Sequence, residues 1–459
     1  MVKRSLIIFG FVLTLFNIVL FGADDKNNRK INYHLSTEDE IFLDTLQFYS
    51  FQYFINEINP DNGLVRDRSQ PGSPASIAAT GYALPIWAIG AERGWISHDQ
   101  AKQLTLNLLK FLWTAEQSDR DSATGNKGFF YHFVDMKTGK RFWDCELSSI
   151  DTGLLLAGIH FAIQYYNGND DIEKEIRELG EKITQRVEWD FLTMPPGGKY
   201  GNTISLSWEP ETGLNPIGWV GFNEALIMYV LAASLDYKKI DEAYYAWITN
   251  YEWREPYPGL AHALFPPLLG HHYSHMFIDF RGLADPYLKE KGIDYFENSR
   301  RAVLTQHKYA IENPLKWKGY DSLCWGLTAC DGPGNSFNFD DKKFEYYTAR
   351  GTSGKKVIQN DDGTIAPTAA GGSIVFAPEI VIPTLKSMYE KYGDKGLWGK
   401  YGFVDAFNPT LNWFNKDYIG IDQGPFVIMI ENFRTGFVWN NLMKDPLIQK
   451  GLKRLGFLD

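Results

Sequence analysis

Residues 215–233, NPIGWVGFNEALIMYVLAA, run from a polar, tryptophan-bearing loop into a segment that is apolar on every side. From Ala225 onward Leu226, Ile227, Met228, Tyr229, Val230 and Leu231 leave no solvated face, so the helix they form has to be enclosed by other helices. A chain containing such a segment folds around it. Asn223 stands where a cap belongs, which places Glu224 in the first turn beside Trp219 and Phe222. An acid there either complements the helix dipole or projects toward whatever lies above the bundle, and the pattern admits both.

The other periodic segments alternate in character. Thr37 with Glu40 reads as a capping box for a helix to Ile58, and helices follow at 75–93 and, capped by Ser97, at 98–116. Residues 149–166 form another all-round apolar helix, with Gly153 and Gly158 allowing neighbours to approach closely. Residues 170–187, DIEKEIRELGEKITQRV within them, are charged and therefore belong outside. Helices at 241–251, 293–313, 378–392, 425–443 and 445–455 complete about eleven, the ones at Pro378 and Pro425 opened by proline. Long loops at 189–218, 259–285 and 321–365 connect them, with a few short hairpins and no run of alternating strands. Apolar and charged helices in alternation, joined by long aromatic loops, predict an all-α toroid: an inner barrel of helices wrapped by an outer one, with a cleft at its mouth. An irregular helical bundle fits the periodicity as well.

Composition narrows the partners. Phe, Tyr and Trp make up 15% of the 459 residues, more than a core requires, and flat rings stack on the C–H faces of sugars. A net charge of -10 excludes a nucleic-acid surface, which has to be basic. At the N-terminus Lys3 and Arg4 precede an apolar run from Leu6 to Phe21 and the small residues Gly22 and Ala23. That is the layout of a secretory signal peptide at 1–23, too short for a spanning helix, followed by a polar leader at 24–36 and a single domain at 37–459. The product is expected to be a periplasmic or secreted monomer without a membrane span. Cys324 and Cys330 are close enough in sequence to pair, leaving Cys145 free, and no CxxC spacing supports a metal.

Acids recur where the apolar helices open. Acetal hydrolysis needs one carboxylic acid to protonate the departing oxygen and one carboxylate to activate water or attack, so the two must hold different pKa values. Glu224, between Trp219 and Phe222, is the candidate for the raised one, although its helix dipole pulls the other way. Asp422 in IGIDQGPFVIMIEN precedes a helix with Pro425 at its first position, where helix-start amides would keep it ionised as a base. Asp151 opens the 149–166 helix and is the third candidate; for both aspartates, capping is the competing role. Glu431 lies inside a buried helix and reads as a structural pair. Glu146, Tyr273, Asp279 and Arg281 and the loop tryptophans Trp208, Trp219 and Trp325 are assigned to substrate, the tryptophans having core packing as their alternative. The HHYSH cluster at 271–275 lies in what reads as loop and fits a sugar cleft better than a metal, and no cofactor motif is present.

Seven blocks in order, WDCELSSIDTGLLLAGIHFA, GWVGFNEALIMYVLA, MFIDFRGLADPYL, WGLTACDGP, DGTIAPTAAGGSIVFAPE, YGFVDAFN and IGIDQGPFVIMIENFRTGFVW, resemble the glycoamylase-like domain of glycoside hydrolase family 144. The likeness runs from about Leu46 to Met443. It implies an (α/α)6 toroid and inverting, endo-type hydrolysis of β-1,2-glucan to sophorose and short oligosaccharides. By motif position it implies Glu224 as general acid and Asp422 as the base-side residue, with Asp151 orienting substrate or water. Three alternatives stay open: hydrolysis of another β-glucan, a polysaccharide lyase using Tyr and His, and a glycan-binding protein without turnover.

Overall fold

The computed structural model describes residues 33–458 apart from positions 236, 338 and 341; the signal peptide expected at 1–23 and most of the expected leader lie outside the described residues. The helices alternate between two shells as the chain advances. Outer α1 (Thr37–Asn56) leads to inner α2 (Ile77–Glu92), outer α3 (His98–Thr114) to inner α4 (Ser149–Tyr165), and outer α5 (Asp171–Gln185) to inner α6 (Leu226–Ser234). Outer α7 (Ile240–Thr249) leads to inner α8 (Leu269–Phe277). After the short α9 (Pro286–Lys291), outer α10 (Tyr295–Glu312) leads to inner α11 (Pro367–Gly371) and outer α12 (Pro378–Tyr392) to inner α13 (Gly420–Thr435). Finally α14 (Phe437–Leu442) and α15 (Pro446–Arg454) close the end of the barrel opposite the starts of the inner helices. The inner helices follow one another around the ring, α8 reaching the end of α11 through His272 and Ser373 and α13 returning to pack on α2, which closes an (α/α)6 toroid.

Side-chain size sets the inner spacing. All nine residues of α6 are buried, and each large apolar side chain so enclosed contributes about 1.5–3 kcal/mol. Helices α2 and α4 approach through glycines: a Cβ on Gly158 would sit 2.1 Å from the Gly81 carbonyl oxygen. A single Gly158→Ala change therefore forces two inner helices apart. The charged α5 buries one stripe and leaves the rest in solvent, as its sequence requires.

Several local readings need correction. The first capping box uses Ser36 and Asp39 rather than Thr37 and Glu40, because Ser36 has the extended backbone a cap needs. Residues 269–277, read as loop, form inner helix α8, and its histidines are core residues: Nε2 of His272 meets Ser373 Oγ at 2.9 Å, and Ser299 Oγ meets His275 Nε2 at 3.1 Å. Burial pushes both of these imidazoles down to about 3, so they stay neutral and face neither sugar nor solvent. The five-residue α11 was too short to show periodicity. Cys145, Cys324 and Cys330 are all free and buried, so the Cys324–Cys330 pair is not formed. Short strands at Gly125–Asn126, Phe129–Tyr131, Leu147–Ser148, Ser207–Glu209 and Gly213–Leu214 assemble a five-stranded antiparallel sheet that leads into α4. Two- and three-residue strands carry too little alternation to be legible beforehand.

Candidate active site

The starts of the inner helices converge on one mouth. Ser148 caps α4 by accepting from the Asp151 N–H at 3.1 Å, and its hydroxyl donates back to the Asp151 carboxylate. The sheet sets His132 beside Glu146, where the His132 N–H donates to the Glu146 carbonyl at 2.9 Å. Nδ1 of His132 then lies 2.7 Å from Glu146 Oε1, and Nε2 lies 3.6 Å from Asp151 Oδ1. Burial opposes charge on this imidazole, but Asp151 and Glu146 outweigh it and push His132 up to about 9. In return, His132 offsets the burial of Glu146 and holds that carboxyl below its usual value. Asp151, more deeply enclosed, stays raised by burial in spite of His132.

Glu224 sits one step from helix α6, not within it. Helix α6 begins at Leu226 without a side-chain cap, and the Asn223 side chain instead accepts from the Ala225 N–H at 3.1 Å and from Trp247 Nε1 at 3.2 Å. The turn is also pinned from α8, whose Ser274 hydroxyl donates to the Glu224 carbonyl at 3.1 Å and accepts from the Ile227 N–H at 3.0 Å. The dipole stabilisation expected of a first-turn acid is thereby weakened. Oε2 of Glu224 has neither solvent contact nor a hydrogen-bond partner among the described residues. Burial, with Asp151 adding to it, pushes this carboxyl up to about 7.

Across the mouth, α13 begins at Gly420, so Pro425 lies inside the helix and Asp422 in its first turn. Helix-start amides do not keep Asp422 ionised. Its carboxyl is buried beside that of Asp405, and burial followed by the Asp405 charge raises it well above the usual carboxylate range. Asp405 is pushed up to about 7 by burial and by Asp331, and its Oδ2 accepts from the Asp331 N–H at 2.7 Å. Two like charges in one buried site oppose each other, so each carboxyl of the pair favours its protonated form. Asp331 is itself anchored by Arg68 at 3.0 Å and by Asn415 Nδ2 at 2.9 Å. The 66–70 loop reaches this position because the Gly420 N–H donates to the Asp67 carbonyl at 2.7 Å.

Tyr82 of α2 joins the two sides. Its hydroxyl is buried without a partner among the described residues, and after burial itself the charges of Asp151, Asp422 and Glu224 are what raise it. Tyr273 packs edge-on against it at 5.8 Å and feels both Asp422 and Glu224. Gly424 makes room for the Tyr82 ring, since a Cβ there would meet it at 2.5 Å. Tyr347, 47% exposed, brings its hydroxyl toward Asp422 and Asp405 from the rim.

The structure thus gathers Glu146, Asp151, Glu224, Tyr273 and Asp422. Trp219 stands at the wall, its Nε1 donating to Ser149 Oγ at 2.8 Å, and Trp208 flanks it on the sheet against Phe191. Three assignments fail. Trp325 is 1% exposed with Nε1 bonded to Thr384, a core tryptophan that offers no platform. Asp279 and Arg281 pair with each other at 2.6 Å, and Arg281 lies 4.8 Å over the ring of Trp439, beyond the C-terminal end of α13 and so at the opposite end of the barrel from Asp422. Residues absent from the reading of the sequence are Arg68, Tyr82, His132, Tyr347 and Asp405. Only Asp405, inside the block YGFVDAFN, carried a signal there.

A carboxyl raised to about 7, set across a buried phenol from two further raised carboxyls, is equipped for general acid–base catalysis. Residues 216–446, half of the chain, match the family model Glycoamylase, described as "Putative glucoamylase". A structure from Bacteroides uniformis carrying the same description is 33% identical with a TM-score of 0.79, over 93% of this chain and 99% of that one. An endo-β-1,2-glucanase of Chitinophaga pinensis, solved with sophorotriose and glucose, is 28% identical with a TM-score of 0.78 over 93% and 99% of the two chains. An exo-β-1,2-glucooligosaccharide sophorohydrolase (non-reducing end) of Parabacteroides distasonis is 31% identical over 91% of this chain, which spans only 58% of that protein's length. With the toroid, the ordered blocks and these relatives in agreement, the chain belongs to the glycoamylase-like proteins of glycoside hydrolase family 144.

Proposed function

We propose that this protein hydrolyses β-1,2-glucan to sophorose and short oligosaccharides, acting within the chain and with inversion. The observation that carries this reading is the Glu224 carboxyl, one oxygen of which has neither solvent contact nor a hydrogen-bond partner among the described residues, and which burial pushes up to about 7, as a general acid requires. Glu224 protonates the departing glycosidic oxygen. The Asp405–Asp422 pair, short of one proton, accepts one from the attacking water, with Asp422 presented at the helix start and Asp405 sharing the load. Inversion requires space for that water between the acid and the base. Asp151, steadied by protonated His132, orients substrate or water.

Action within the chain is supported by the Chitinophaga pinensis relative, which this chain matches over nearly its full length. Release of sophorose from the non-reducing end is the second reading, favoured by the Parabacteroides distasonis relative. No helix among the described residues is long and apolar enough to cross a membrane. Export follows in this reading from the residue 1–23 leader, with the mature chain acting as a periplasmic or secreted monomer that needs no cofactor.

Incubation with linear β-1,2-glucan tests the proposal. A ladder of oligosaccharides appearing early supports internal cleavage, sophorose alone moves the assignment to the exo reading, and hydrolysis only of another β-glucan overturns the linkage. An unsaturated product absorbing in the ultraviolet identifies a lyase. Binding without turnover leaves a glycan-binding protein. kcat/KM should fall above about pH 7 as Glu224 loses its proton.

A further inference from the structure

We propose that Trp143 is the sugar-stacking platform of an outer subsite on the rim, where it senses the length of the bound glucan; the inference rests on the substrate proposed above. Trp143 is 63% exposed, so most of its ring lies in water. Isolated exposed apolar side chains are ordinary on any surface, and Tyr245 and Ile41 are of that kind here. Two further observations set Trp143 apart.

The first is its backbone. Trp143 and Asp144 have φ of 58° and 51°, two consecutive side-chain-bearing residues in the left-handed region. Each costs about 1–2 kcal/mol and persists only where the surroundings over-determine it. They do so here. The Arg141 guanidinium, stacked 4.9 Å over the Tyr131 ring, donates to the Asp144 carbonyl at 2.7 Å, the Cys145 carbonyl at 2.5 Å and Glu211 at 2.7 Å. The Cys145 thiol fastens the other side of the turn, accepting from the Phe133 N–H at 3.2 Å and donating to the Phe133 carbonyl at 3.3 Å. So much scaffolding would be superfluous if the turn merely had to reverse the chain. What it achieves is a fixed direction for one indole.

The second is where that indole stands. Its ring leans edge-on against Phe133 at 5.6 Å, and Phe133 stacks flat on His132 at 3.9 Å. His132 is the residue that reaches Glu146 and Asp151. An unbroken row of rings therefore leads from the acids of the mouth to an exposed tryptophan on the rim. A glucan long enough to leave the mouth on this side meets the indole, whose flat apolar surface matches the C–H face of a glucose unit.

The test uses Trp143→Ala and Trp143→Phe with β-1,2-gluco-oligosaccharides of increasing length. Trp143→Ala should raise KM for long oligosaccharides about tenfold with kcat retained, the effect shrinking as the chain shortens. Trp143→Phe, which keeps a flat ring, should recover most of the loss. With Glu224→Gln blocking turnover, long oligosaccharides should change the tryptophan fluorescence more than short ones, and Trp143→Ala in that background should remove the part of the change that grows with chain length. An unaltered dependence on length in Trp143→Ala, or an unaltered fluorescence response, overturns the platform while leaving the substrate assignment standing. If the wild-type protein cleaves no β-1,2-glucan, the substrate assignment and the platform both fall. A fall in melting temperature that accounts for the lost activity, equal in both variants, assigns Trp143 to the fold and overturns the proposal.

Discussion

Two acids on one helix have opposite surroundings. Asp422 and Glu431 both lie on α13 and are 3% and 4% exposed, so burial alone does not distinguish them. Glu431 meets Arg93 at 2.8 Å, Gln47 at 3.0 Å and Thr435 at 2.9 Å, leaving its charge compensated. Asp422 is given another carboxyl, and one of its oxygens has no partner among the described residues. Gln47 of outer helix α1 and Arg93 at the end of inner helix α2 satisfy Glu431, while the mouth withholds satisfaction from Asp422. A compensated buried carboxylate stabilises a fold, whereas a frustrated one stores proton affinity for use. The histidines repeat the lesson: His132 among acids is pushed up to about 9, and His272 and His275 among apolar neighbours are pushed down to about 3.

The contrast breaks most visibly in turnover. Asp422→Asn should lower kcat by about 10²–10⁴-fold with the melting temperature unchanged or higher, since a like-charged neighbour is relieved. A mild effect would shift the base to Asp151 or Asp405. Glu431→Gln should do the reverse, keeping activity per folded molecule while costing about 2–3 kcal/mol in denaturant unfolding; Arg93 is 26% exposed, so the loss stays below that of a fully buried pair. An activity defect without destabilisation would show that Glu431 is not merely structural.

The pH dependence of stability sharpens the comparison further. Glu224 has a folded pKa of about 7, above the ordinary 4.5, so the fold binds its proton more tightly than the unfolded chain. The resulting penalty is absent at low pH, grows as pH rises past 4.5 and is complete above about 7. Glu224→Gln should therefore be more stable than wild type at pH 8, by about 3 kcal/mol, and equal to it at pH 4, by thermal melting. His132 behaves in the same sense as a base: its folded pKa of about 9 exceeds 6.5, so its ion pairs stabilise fully below 6.5 and fade as pH rises through about 9. His132→Gln should cost about 1–2 kcal/mol at pH 6, given the part-exposed ring, and almost nothing at pH 10. A loss independent of pH would assign the histidine a packing role only.

The shells of the toroid were legible because periodicity and composition act locally: α6 is apolar all round, α5 is striped, and Gly158 marks a close helix contact. The ordered blocks likewise singled out Glu224 and Asp422. Other parts were not legible. Helix α8, with three histidines in nine residues, reads as polar until the hydroxyls of Ser299 and Ser373 arrive from elsewhere in the chain to bond one ring nitrogen of each. Asp279 and Arg281 looked like site residues for the same reason in reverse, since their position at the far end of the barrel depends on where α8 ends.

The order of residues alone determined which segments would be enclosed, where helices would open, and that acids would stand at several of those openings. Only the tertiary structure decided which acids face one another, since a carboxyl's proton affinity depends on neighbours that loops and distant segments bring to it in space. Ring closure brought Arg68 to Asp331 across 263 residues, while the loops ahead of α13 and α4 folded back to set Asp405 beside Asp422 and His132 beside Asp151, placing charge and hydrogen-bond donors where no local pattern records them.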